Sequence, residues 1–185
     1  MPLLHRDIET RSILDLTRVG GWRYATDPTT GVWCLAFAID HQPAQLWTPD
    51  QPIPEAFIEA ARNPAWLVIA HNDAFERLIE EHILAPRFGW PLVPIERHRC
   101  TMAMALACAL PGKLEKVADA LELEHRKDAE GSRLMKQMAS RASRVVVKTR
   151  AAFIGMTTLT KSRGLANTAS ATLRSSANCM GACRR

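Results

Sequence analysis

The chain has 185 residues, 47% of them hydrophobic, enough to bury one core of ordinary size. It contains no run of eighteen apolar residues, which argues against a membrane span, and charge arrives by His5-Arg6-Asp7, too early for a secretory signal. The net charge of +5 is uneven: residues 1–130 hold all nineteen acids against thirteen Lys and Arg, whereas residues 131–185 hold eleven basic residues and no acid, so the globular part is acidic.

In chain order, Leu3–Ile8 is short and apolar-rich and predicts a first strand. A polar, glycine-containing stretch follows from Arg11 to Gly31. Val32–Ile39 is rich in β-formers and predicts a second strand, with Gln45–Thr48 as its hairpin partner. Pro54-Glu55 opens a helix with Pro54 in its first turn and Phe57, Ile58 and Ala61 turned inward. Trp66–Ala70 predicts a buried strand running into His71-Asn72, after which Asp73 caps a helix through Leu84. Phe75, Leu78, Ile79 and Ile83 lie on one face of that helix. Beyond a proline-broken stretch, Pro86–Pro94, helices are predicted over Thr101–Leu110, over Leu114–Leu121 and over residues 131–138. Alternating strands and helices predict an α/β domain. Periodicity ends near Ala139. The five cysteines (Cys34, Cys100, Cys108, Cys179, Cys183) form no CxxC pair, and no other ligands accompany Cys179 and Cys183. Reduced thiols in a cytoplasmic protein are the expectation.

Two constellations carry chemistry. Asp7-Ile8-Glu9-Thr10 ends the first strand, and residues i and i+2 of a strand share a face, so Asp7 and Glu9 present paired carboxylates. Hard divalent ions take oxygen ligands of this kind, and two of them roughly 3.5–4 Å apart clamp a phosphodiester displacement. A solvated strand end accounts for the pair equally well if nothing else joins it. The second constellation, His71-Asn72-Asp73-Ala74-Phe75-Glu76, stands where a strand hands over to a helix. Helix capping explains Asp73; it leaves unexplained an acid at Glu76 in a chain that opens with Asp-Ile-Glu-Thr.

Asp-x-Glu-Thr near the start, followed by His-Asn-x-x-Phe and an acid, resembles the first two motifs of the proofreading-type 3′→5′ exonucleases, which have a ribonuclease-H-like fold and use four carboxylates to hold two metals. The resemblance continues through Cys100-Thr101-Met102-Ala103, Leu110-Pro111-Gly112, Leu114–Leu123 and Lys127-Asp128-x-Glu130-Gly131, which look like the exonuclease domain of phage-type and bacterial family A DNA polymerases. It implies that Asp7 bridges two Mg²⁺ or Mn²⁺ ions, that Glu9 binds the tighter one, and that Glu76 holds the second directly or through water. It further implies that Asn72 and Phe75 shape the substrate groove and that Thr10 sits beside the 3′-terminal nucleotide of single-stranded DNA. A polymerase domain in the intact parent is part of the same expectation. Arg6 departs from the family's pattern, in which an apolar residue precedes Asp7; a charge there weakens the strand or reflects exposure.

The family's third motif, Tyr-x-x-x-Asp or His-x-x-x-x-Asp, is missing: no acid follows Glu130, no histidine follows His125, and the only tyrosine is Tyr24. With GC-rich codons assigned to Ser140–Arg184, a reading shifted by one nucleotide is continuous and contains YCKRD, its Tyr straddling the codons of Asn167 and Thr168 and its Asp those of Ala171 and Thr172. A frameshift therefore accounts for the tail better than a basic nucleic-acid-binding arm, for which Val145-Val146-Val147 and Phe153-Ile154 are too apolar. The expected organisation is an incomplete exonuclease-like domain over residues 1–139 and an irregular basic tail over 140–185, with a ribonuclease-H-like mixed sheet flanked by helices. The expected activity is crippled two-metal hydrolysis at DNA 3′ ends. The alternative is an inactive remnant that at most binds single-stranded ends.

Overall fold

A computed structural model describes residues 1–122; the predicted helix over 131–138, the boundary at 139/140 and the tail lie outside the described residues. Five strands, β1 (Leu3–Arg11), β2 (Gly31–Ile39), β3 (Gln45–Trp47), β4 (Leu67–Ala70) and β5 (His98–Cys100), form one sheet in the order β3-β2-β1-β4-β5. The first three pair antiparallel, and β1, β4 and β5 pair parallel. This is the mixed α/β sheet expected of a ribonuclease-H-like domain. The strand order reverses at β1, and a crevice at such a switch point is where open α/β sheets bind ligands.

The helices are α1 (Leu16–Ala25), α2 (Glu55–Arg62), α3 (Asp73–Ile79), α4 (Ala85–Phe88), α5 (Thr101–Ala107) and α6 (Leu114–Ala120). Helix α3 runs into a π-helical turn, Glu80–Leu84, and then directly into α4. Pro86 was expected to break the chain; the helix instead carries through it to Phe88. Proline lacks an N–H and its ring crowds the carbonyl four residues back, and the wider π-helical turn before it accommodates both demands.

The polar stretch after Arg11 contains α1, which sequence periodicity did not reveal. Asp15 caps it by accepting from the Thr17 N–H at 2.9 Å. Gly20 kinks it at φ 77°, and a Cβ on Gly21 would stand 3.2 Å from Leu78 Cδ1, so the glycines that obscure the helix are what let it close on α3. Helix α2 starts at Glu55 with Pro54 as its extended cap residue, and it buries Phe57 and Ala60, whereas Ile58 and Ala61 are half-buried. Strand β1 runs three residues past the predicted Ile8.

The main core lies on one face of the sheet, where Leu4, Ile8, Leu35, Phe37 and Val68 meet Phe57, Ile79, Ile83, Leu84 and Trp90. Strand alternation places Arg6 on that same face between Leu4 and Ile8, and turns Asp7 and Glu9 to the other. No helix among the described residues is long and apolar enough to cross a membrane.

Candidate active site

Asp7 lies opposite Ala36 and Glu9 opposite Cys34 in the β1–β2 ladder. Strand alternation puts both carboxylates on one face of the sheet, and burial, then Glu9 and Asp7, pushes the Cys34 thiol up to about 12. The ladder slips between Glu9 and Thr10, where Thr10 pairs with Val32 and Trp33 is left over on β2. Bulges of this kind re-aim side chains next to sites.

Strand β1 outruns its parallel neighbour, since β4 pairs only with Leu3, Leu4 and His5. Backbone groups beyond that point need another partner. At Ile8, between Asp7 and Glu9, the N–H donates to Glu76 Oε2 at 3.1 Å. Helix α3 thus delivers its acid to the strand end that carries the other two. Glu76 is 5% exposed, and its carboxyl is raised well above the ordinary glutamate value by burial first and then by Asp7, with Glu80 and Glu9 adding and Arg6 opposing.

The sign of that shift gives a test. As pH climbs above the ordinary value of 4.5, an unfolded Glu76 releases its proton while the folded one retains it, so stability falls until the folded carboxyl also ionises. Without divalent ions, Glu76→Gln keeps an acceptor for Ile8 and should raise Tm at pH 8. The gain should vanish near pH 4. A variant that melts lower than the parent at pH 8 would refute this.

Arg6 corrects the sequence reading. It is neither exposed nor a weakness of the strand: it is 1% exposed, with Nε donating to Glu80 Oε1 at 2.6 Å, Nη2 to Glu80 Oε2 at 3.1 Å and Nη1 to Asp73 Oδ1 at 3.0 Å. Burial opposes its charge, but Glu80, then Asp73 and Glu76, outweigh it and raise its pKa. Asp73 is not a capping residue either. The N-cap is Asn72, which makes no side-chain cap bond, and Asp73 instead faces Arg6 and His98 Nδ1, the latter at 3.0 Å. Burial alone would raise the Asp73 carboxyl; the hydrogen bond from His98 and the charge of Arg6 bring it below its ordinary value. His98 Nε2 in turn donates to the Val93 carbonyl at 3.1 Å. Asp73, Glu76 and Glu80 therefore lie along one buried side of the helix, and the cation on β1 grips the acids on either side of Glu76.

Among the expected substrate residues, Asn72 is exposed at the head of α3 and Phe75 is half-buried. Thr10 Oγ1 lies 3.0 Å from the hydroxyl of Tyr24, whose ring centroid is 6.1 Å from that of Phe75. His71 is a tie: its Nδ1 is 3.0 Å from Thr101 Oγ1, and its Nε2 donates to the Gly112 carbonyl at 2.9 Å. Burial lowers the pKa of His71, in keeping with a neutral ring that donates to the carbonyl and accepts from the hydroxyl. Cys100-Thr101 and Leu110-Pro111-Gly112 thus converge on the His-Asn motif. Arg6, Glu80, His98 and Tyr24 were not read as site residues. The acids at 73, 76 and 80, at helical spacing, together with an otherwise unexplained arginine, were the available signal for the first two.

Three carboxylates at one strand end, with one holding its proton more tightly than usual, match the donor chemistry of a hard divalent cation. They are not drawn into a common shell, since no three His, Cys, Asp or Glu side chains among the described residues stand in an arrangement able to hold a metal.

No protein-family model matches the chain. Over 138 residues it is 33% identical to the DNA polymerase of Bacillus phage SP02, a match that covers 74% of this chain and 20% of the phage protein. The chain therefore spans about a fifth of the length of that relative. A solved structure described as the apo form of the nuclease shares the fold with a TM-score of 0.55 and 14% identity, over 97% of this chain and 72% of the other.

Proposed function

We propose that residues 1–139 are the 3′→5′ exonuclease domain of a DNA polymerase I-like protein, acting on single-stranded DNA ends and crippled in this chain by loss of the third motif. One observation carries the reading: helix α3 brings Glu76 to the Ile8 N–H, between Asp7 and Glu9, at the switch point of the sheet. The identity with part of a phage DNA polymerase and the fold shared with a nuclease support it.

Asp7, Glu9 and Glu76 would hold Mg²⁺ or Mn²⁺, which supplies charge neutralisation at the attacked phosphodiester and its leaving oxygen when bound. The chain's own residues set the stage. The Ile8 N–H orients the Glu76 carboxyl, Arg6 holds the helix that carries it, and Thr10, Asn72 and Phe75 receive the terminal nucleotide. What is lacking is the late acid and the Tyr or His that would orient water. The test is degradation of 3′-ended single-stranded DNA with Mg²⁺ or Mn²⁺: this chain should give little or none. Robust degradation that stops in Asp7→Ala would overturn the account of the missing motif. The second reading, an inactive remnant that at most binds single-stranded DNA ends, is favoured by the absence of any acid after Glu130 and predicts end binding without cleavage by this chain.

A further inference from the structure

The sequence makes Tyr24 look irrelevant to the site, since it comes far too early to belong to the third motif. The fold brings it there by way of α1. The Tyr24 side chain is buried, its hydroxyl lies 3.0 Å from Thr10 Oγ1, and its ring meets that of Phe75. Its backbone is held as well: Thr30 Oγ1 donates to the Tyr24 carbonyl at 2.6 Å, and Arg87 Nη1 donates to the Thr30 carbonyl at 2.8 Å. The close approach of Gly21 to Leu78 and Phe75 docks the same helix on α3. Tyr24 is therefore the element that joins Thr10 on β1 to Phe75 on α3.

We infer that Tyr24 is a positioning residue for the DNA 3′ end, its hydroxyl fixing the orientation of Thr10 Oγ1 and its ring fixing Phe75, so that strand and helix present one wall to the terminal nucleotide. The inference rests on the proposed function, in which Thr10 lies beside that nucleotide. A threonine hydroxyl rotates freely unless a partner selects one direction. A buried tyrosine held at both backbone and ring is such a partner.

The test compares binding of a labelled linear oligodeoxynucleotide with binding of circular single-stranded DNA, which has no 3′ end, by the full chain in EDTA so that no metal-dependent cleavage intervenes. The basic residues after 130 attract both DNAs alike, so the ratio isolates the end. The parent should prefer the linear DNA. Tyr24→Phe, which keeps the ring, should reduce that preference about two- to tenfold, the scale of one net hydrogen bond. Thr10→Val should do the same, and the double variant should lose no more than either single one, because the two hydroxyls act as a unit. If Thr10→Val loses the preference and Tyr24→Phe keeps it, Tyr24 does not position the end. If Tyr24→Phe weakens linear and circular DNA equally, the role is structural and the inference falls. If the parent itself shows no preference for the linear DNA, the proposed 3′-end site fails, and the inference with it.

Discussion

Restoring the reading frame from about residue 139, so that YCKRD is encoded, should raise Mg²⁺-dependent degradation of single-stranded DNA from the 3′ end by at least about 10²–10⁴-fold, the usual worth of a positioned general base or acid. In the proposed mechanism the restored Asp would supply the fourth carboxylate and the restored Tyr the group that orients water, so the gain should exceed that of either residue alone. Asp7→Ala in the repaired protein should return activity to the level of the present chain, because Asp7 is one of the carboxylates that would hold the divalent ion. Sequencing the coding DNA around codons 138–141 tests the premise independently of any assay. If the repaired chain is no more active than the present one, the tail is not a displaced exonuclease segment, and the remnant reading gains.

How much of this was legible in the sequence varied with the kind of signal. Strands β2 and β4 are nearly uninterrupted apolar runs, and both emerged close to their predicted bounds. Helix α1 did not emerge, because Arg18, Arg23 and the Gly20-Gly21 pair erase the periodicity, and a short side-chain cap at Asp15 carries what helical signal there is. The site divides in the same way. Asp7 and Glu9 could be placed on one face from strand geometry alone. That Glu76 meets Ile8 could not, since it depends on β4 ending where β1 continues. Asp73 was misread because an acid at a helix start fits a cap so readily, while its actual partners, Arg6 and His98, stand 67 and 25 residues away. Tyr24 reaches the site only through a helix that was not predicted.

Arg6 also yields the largest expected effect on stability. Arg6 stands between Leu4 and Ile8 on the core face of β1, a place that an apolar side chain would ordinarily fill. Here the core position is polar, and it works only as a set: one guanidinium, two oxygens of Glu80, one of Asp73, and His98 behind. Removing one member of a buried ionic cluster leaves the others charged and unpaired, which typically costs about 3–5 kcal/mol. Arg6→Ala should lose about that much at pH 7 by urea denaturation of the full chain. The loss should shrink towards pH 4. The Asp73 carboxyl lies below its ordinary value of 3.8 only while Arg6 and His98 hold it, so without Arg6 it takes up a proton at higher pH, and a protonated carboxyl tolerates burial. Replacing the set together, as Arg6→Met with Glu80→Met and Asp73→Asn, should recover most of the loss, because well-packed apolar groups often match or exceed a buried ion pair. Arg6→Lys should fall between, as a point charge cannot serve both oxygens of Glu80 and Asp73 at once. A loss under about 1 kcal/mol for Arg6→Ala, or a triple variant no more stable than the single one, would show that the cluster is not held in the buried, mutually dependent form described.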